Sequence, residues 1–134
     1  MPTLTANELN QITSTILSIA IAIHRALGPG LLESAYLTCL IRELADTRLR
    51  IEVQKAIPLR YRDVNVECAY RADLVVEGSV VVEVKTVDAF APIHDQQLNT
   101  YLRLGDYRVG LLLNFAAPTM KEGIRRVVNR FPEK

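Results

Sequence analysis

Asp73, Glu83 and Lys85 lie in the segment Tyr70–Val87, YRADLVVEGSVVVEVKTV, which is two valine-rich runs joined across Glu77-Gly78-Ser79. Charged residues rarely interrupt such runs unless chemistry requires them. Read as a three-residue hairpin loop containing glycine, Glu77-Gly78-Ser79 pairs Val76 with Val80. Asp73 then lies opposite Glu83, and Arg71 opposite Lys85. Side chains alternate along a strand. One face of the hairpin therefore carries Arg71, Asp73, Val75, Val81, Glu83 and Lys85. The other carries Ala72, Leu74, Val76, Val80, Val82 and Val84, all apolar. A two-residue loop would slide the pairing by one and mix the faces. The preferred register sets two carboxylates about 5 Å apart with a lysine beside them.

Like charges directly across a sheet are destabilising. Two carboxylates so placed need a cation, a shared proton or full solvation. A divalent metal satisfies them most simply, because hard cations take oxygen ligands from carboxylates and backbone carbonyls. The plainer alternative is a solvated outer face on which Arg71 and Lys85 neutralise Asp73 and Glu83. Val75 and Val81 share that face, however, and a helical region must pack somewhere on the sheet. A mostly buried charged cluster marks a functional site.

The elements that would position these residues follow from periodicity. Asn7 to Leu27 reads as a helix with an apolar stripe of Ile12, Ile16, Ile19, Ile23 and Leu27. Gly28-Pro29-Gly30 breaks it. A second helix is expected from about Leu31 to Asp46, with Leu32, Ala35, Tyr36, Cys39, Leu40, Glu43 and Leu44 describing its period. Ile51 to Val53 and Ile57 to Tyr61 read as strands, and Arg62-Asp63-Val64-Asn65 turns the chain into the central hairpin. Pro92 opens a third helix from Ile93 to about Leu104, closed at Gly105-Asp106. Tyr107 to Phe115, YRVGLLLNF, is a near-continuous apolar strand, which implies burial on both faces. A short turn and a final strand at Ile124 to Val128 complete the chain. The strand–helix–strand crossover should be parallel and right-handed. The expected architecture is α/β, a mixed central sheet flanked by helices.

The chain has 134 residues, one domain's worth, of which 49% are hydrophobic and 23% charged. With a net charge of +1 there is no global basic signal of the kind a high-affinity, non-specific nucleic-acid binder carries. The C-terminal stretch leans basic through Lys121, Arg125, Arg126, Arg130 and Lys134 against Glu122 and Glu133, and reads as a solvated end. Cys39 and Cys68 have no metal-ligand or redox spacing and read as small buried thiols. No signal peptide is visible. The apolar stretch from Ile16 to Leu27 is broken by Ser18, His24 and Arg25 and is too short to span a bilayer. A cytoplasmic address is expected.

More polar groups can join the hairpin cluster. His94, Gln97 and Tyr101 share one face of the third helix, beside a stripe of Leu98 and Leu102 that could pack on the sheet. Glu33 lies in the first turn of the second helix, near the positive end of its dipole. Taken singly, Glu33 is a surface carboxylate, Gln97 a solvated side chain, Tyr101 a core aromatic with an edge hydroxyl, and His24 a structural histidine.

Taken together, the set resembles the PD-(D/E)XK nuclease superfamily: a helix glutamate, a strand aspartate, Glu-x-Lys on the next strand, and Gln-x-x-x-Tyr on the following helix. More closely, GPGLLESAY (Gly30, Glu33, Tyr36), YRADLVVEG, VVEVKTV, HDQQLNTYL and VGLLLNF resemble the bacterial GxxExxY proteins of that superfamily, over roughly His24 to Val128. Asp73 is preceded by Ala72 where the superfamily's first motif has proline.

The resemblance implies a restriction-endonuclease-like core over residues 1–134 and metal-assisted hydrolysis of phosphodiesters, with DNA the expected substrate. It implies that Asp73 and Glu83, helped by the Val84 carbonyl, bind Mg²⁺ or Mn²⁺, with Glu33 completing the acidic set directly or through a water. Lys85 would orient the attacking water or stabilise charge at phosphorus. Gln97 would position Lys85 or a water. Arg71, His94 and Tyr101 would face substrate. Two alternatives stay open at this point. One is a non-catalytic module on the same fold, binding nucleic acid or protein. The other is a junction resolvase acting as a homodimer, which the near-neutral charge disfavours.

Overall fold

The computed structural model describes residues 3–133, except for the side chains of Cys68 and Ala69. The expectation for Cys68, and the Lys134 end of the basic stretch, lie outside the described residues. Helix α1 spans Ala6–Leu27, α2 Glu33–Leu44 and α3 Pro92–Gly105; strands β1 to β5 span Ile51–Tyr61, Val64–Val76, Val80–Lys85, Val109–Asn114 and Ile124–Val128. The sheet order is β1-β2-β3-β4-β5. Only the β3–β4 pair is parallel, joined through α3; the other three are antiparallel. The architecture is the expected α/β one, with α1 and α2 on one face of the sheet and α3 on the other.

Local chemistry sets each element. Thr5 caps α1: its hydroxyl accepts from Glu8 N–H, and the Glu8 carboxylate accepts from Thr5 N–H. The buried stripe is Leu9, Ile12, Ile16, Ala20 and Ile23, whereas Leu27 is 44% exposed. Gly28, at φ 69°, ends the helix. Leu32 precedes α2 and stays exposed, so that helix buries Tyr36, Leu40 and Leu44 instead. Cys39 is half-buried against the core. Pro92 stands in the first turn of α3, and Asp106, in the left-handed conformation, closes it. Every residue of β4 is buried, as expected of a central strand covered on both faces.

The hairpin register is the one the alternation required. Val76 pairs with Val80, Val75 with Val81 and Leu74 with Val82. Glu77 and Gly78 both take positive φ, and the Glu77 carboxylate accepts from Arg50 N–H at 2.5 Å. β1 is one strand rather than two, with its irregularity confined to a register shift between Ile57 and Leu59 and a left-handed Gln54. The chain resumes strand pairing at Val64, so the turn after β1 is tighter than expected.

One expectation about the faces fails. Leu74, Val76, Val80, Val82 and Val84 pack against α1 and α2, and Val75 and Val81 pack under α3. Ala72, however, joins the α3 side with Tyr70. Alternation therefore inverts at Asp73, and Arg71 does not share a regular face with Asp73 and Val75.

Candidate active site

The inversion places Asp73 in the seam where β2 parts from β3. Paired backbone contacts between these strands run only from Val76–Val80 to Leu74–Val82. Beyond that point side chains take over. Asp73 N–H donates to the Glu83 carboxylate at 2.6 Å, and Val84 N–H donates to Asp73 Oδ2 at 2.9 Å. Each carboxylate thus accepts a backbone N–H of the other strand just where the regular β2–β3 pairing stops. Glu83 is 5% exposed.

The electrostatics follow from that burial. Desolvation raises the Glu83 carboxyl to about 8, reinforced by repulsion from Asp73 and Glu33 and opposed by Asp73 N–H and Lys85. Asp73 is raised by desolvation and by Glu33, and held down by Val84 N–H, Lys85 and a hydrogen bond from the Gln54 side chain. The Tyr101 hydroxyl, buried near both carboxylates, is pushed up to about 12 by desolvation and then by Glu83 and Asp73. Gln97 hydrogen-bonds that hydroxyl, and the Tyr70 ring lies 5.6 Å from the Tyr101 ring. Leu98 and Leu102 anchor α3 on the sheet, as the stripe predicted.

Glu33 reaches the cluster from the N-terminus of α2, where its carboxylate accepts from Thr86 N–H at 3.1 Å. It is itself exposed. Tyr36 explains how an uncapped helix start is fixed. Its ring stacks on Phe115 at 4.4 Å; its hydroxyl donates to the Gly28 carbonyl at 2.5 Å and accepts from Leu31 N–H at 3.1 Å. Tyr36 thereby fixes the start of α2, from which Glu33 meets the chain at the end of β3.

His94 is not brought to the acids. Its Nδ1 accepts from Ala91 N–H at 2.9 Å and its ring meets Phe90 edge-on, so it caps α3. Arg71 is exposed, and its Nη1 donates to the Gln54 carbonyl at 3.3 Å. His24 is structural, with Nε2 2.8 Å from the Ala117 carbonyl.

Two residues were missed at the sequence level. Gln54, in the middle of β1, contacts Asp73, and nothing in the periodicity singled it out. Asn114, 4% exposed, ends β4. Its carboxamide accepts from Val87 and Ala116 N–H and donates to the Val87 carbonyl, tying the segment after Lys85 to β4. A polar residue closing the buried run VGLLLN was a legible signal.

The donor set fits a small hard cation held sparsely. Among the described residues no group of three His, Cys, Asp or Glu side chains is close enough to hold a metal ion. The close pair is Asp73 and Glu83. Mg²⁺ takes one or two carboxylates and keeps several waters, and a cation there would offset the repulsion that burial intensifies. Cavities of about 620 Å³ lie at His24–Lys121 and at Pro58–Tyr107, neither lined by the acids. A smaller one of about 300 Å³ opens beside Gln97, lined by Tyr70, Ile93, Gln96 and Thr100.

Among the described residues, no helix is long and apolar enough to cross a membrane. A family model described as the PD-(D/E)XK nuclease superfamily matches residues 10–127. No curated protein and no solved structure gives a significant match.

Proposed function

We propose, given that this chain belongs to the PD-(D/E)XK nuclease superfamily, that it is a metal-dependent phosphodiesterase acting on nucleic acid, with DNA the favoured substrate. The observation that carries this reading is the Asp73–Glu83 pair: two facing carboxylates, one nearly fully buried, with Lys85 the nearby cation acting on both. The Gly30, Glu33, Tyr36 pattern supports placement with the GxxExxY proteins.

In this reading Asp73 and Glu83, with the Val84 carbonyl, hold Mg²⁺ or Mn²⁺, and Glu33 contributes directly or through water. The bound ion would supply charge neutralisation at a phosphate oxygen and acidify a water. Lys85 orients the nucleophile and stabilises negative charge at phosphorus. Tyr101, kept protonated by its surroundings, donates a hydrogen bond at the rim of the cluster, and Gln97 fixes that hydroxyl. Arg71 stands exposed on β2, where it can meet backbone phosphate. His94 contributes by ordering the start of α3, beside the Gln97 pocket. Residues 1–134 act as a single nuclease-like domain. The near-neutral charge favours a general nuclease over a homodimeric junction resolvase.

The test is cleavage of single- and double-stranded DNA and RNA with Mg²⁺ or Mn²⁺, against EDTA. Turnover that requires metal and is lost in Glu83→Ala supports the reading. Absence of turnover on every substrate, with Mn²⁺ demonstrably bound, favours the non-catalytic alternative.

A further inference from the structure

The β1–β2 ladder pairs Val53 with Leu74 and Lys55 with Ala72, and skips the Gln54–Asp73 pair between them. Gln54 takes φ 51°, a left-handed conformation that a long side chain adopts unfavourably. Gln54 is exposed, so no burial of its own offsets that cost. The inversion of faces is centred on the same pair. Ile51 packs on the α1–α2 side while Ile57 packs under α3, although strict alternation would put both on one face. On β2, Leu74 and Ala72 divide in the same way.

Two bonds hold the backbone there. The Gln54 carbonyl accepts from Arg71 Nη1 at 3.3 Å, and the Gln54 carboxamide hydrogen-bonds the Asp73 carboxylate. Asp73 Oδ2 also accepts from Val84 N–H at 2.9 Å. The carboxylate is therefore held from both neighbouring strands, β1 and β3. A bulge that only adds twist to a sheet would need no side chain reaching back to a half-buried acid.

We propose that Gln54 is a positioning residue of the acidic cluster: the left-handed turn in β1 aims its carboxamide at Asp73 and sets the direction in which that carboxylate faces a divalent cation. The inference rests on the metal-dependent reading above. Partners that orient a metal-binding group govern affinity without touching the ion.

Gln54→Gly separates the parts, since glycine accepts the left-handed backbone while the whole side chain, carboxamide included, is lost. Gln54→Asn keeps the amide and tolerates the conformation, but is one methylene too short. Calorimetric titration with Mn²⁺ should show affinity falling roughly tenfold in both variants, with the melting temperature of Gln54→Gly within a few degrees of wild type. In metal-free protein, the melting shifts of Gln54→Gly and Asp73→Ala should not add, because the bond is lost only once. Unchanged Mn²⁺ affinity in Gln54→Gly, or additive shifts, overturns the proposal. A wild-type protein that takes up no Mn²⁺ overturns the metal reading and the cation-directed half of this inference. In that case a non-additive cycle still upholds Gln54 as the residue that orients Asp73.

Discussion

Asp73 donates its backbone N–H to the Glu83 carboxylate at 2.6 Å, so the aspartate that repels Glu83 through its side chain holds it through its main chain. The fold therefore sets a main-chain attraction against a carboxylate repulsion within one pair of residues, at an energetic cost.

That cost predicts opposite effects on stability and activity. Glu83→Gln keeps an acceptor for Asp73 N–H and removes the charge, so it should raise the metal-free melting temperature at pH 8 by roughly 3–6 °C. Asp73→Ala, Glu83→Ala and Lys85→Ala should each lower Mg²⁺-dependent cleavage about 10³-fold or more, since several kcal/mol of transition-state stabilisation is lost. Scanning calorimetry and a cleavage assay on the same preparations check both. Cleavage retained in Asp73→Ala would reject the assignment.

The pH dependence has a definite sign. The Glu83 carboxyl is raised from 4.5 to about 8 in the fold. Between those values the folded protein keeps a proton that the unfolded chain releases, so this group makes stability fall as pH rises through the window and level off above it. The contribution is on the order of a few kcal/mol at most. Urea unfolding at pH 5.5, 7 and 8.5 should show a downward trend that is absent in Glu83→Gln. Mn²⁺ affinity should climb over the same window, because the ligand must lose its proton.

Tyr36→Phe tests how Glu33 is aimed. The ring and its stacking on Phe115 remain, but the bonds to Gly28 and Leu31 are lost. Stability should fall by about 1 kcal/mol and cleavage by about tenfold, because the start of α2 loosens. Chemical denaturation together with steady-state kinetics measures the two. An unchanged rate would mean that Glu33 is not needed where it stands.

Gly110→Ala tests how α3 seats on the sheet. A Cβ there would lie 2.7 Å from Leu98 Cγ and Cδ1, inside a packed core. The cost should be about 1–3 kcal/mol, read by urea unfolding, and displacement of α3 should lower activity through Gln97 and Tyr101.

Much of this was legible from residue types. The hairpin register followed because a single loop choice separates valines from charges, and because Glu77-Gly78 suits a turn with positive φ. The β3–α3–β4 crossover followed from a helix between two buried runs. The reversal at Asp73 was not legible. The run YRADLVV alternates smoothly as letters, and only a left-handed Gln54 on the neighbouring strand turns the alternation over. Likewise His94 shares a helix face with Gln97 by spacing, but sits in the first turn, where its ring serves the backbone. Gln54-Lys55-Ala56 read as a gap between two short strands, yet pairing to β2 carries β1 through with one register shift.

The most direct measurement is the anomalous scattering of manganese in crystals of the protein grown with Mn²⁺. The account predicts a single strong peak about 2.1 Å from carboxylate oxygens of both Asp73 and Glu83, lost in Glu83→Ala. A peak elsewhere, or none, with the two carboxylates still bonded to Val84 and Asp73 N–H, would contradict it.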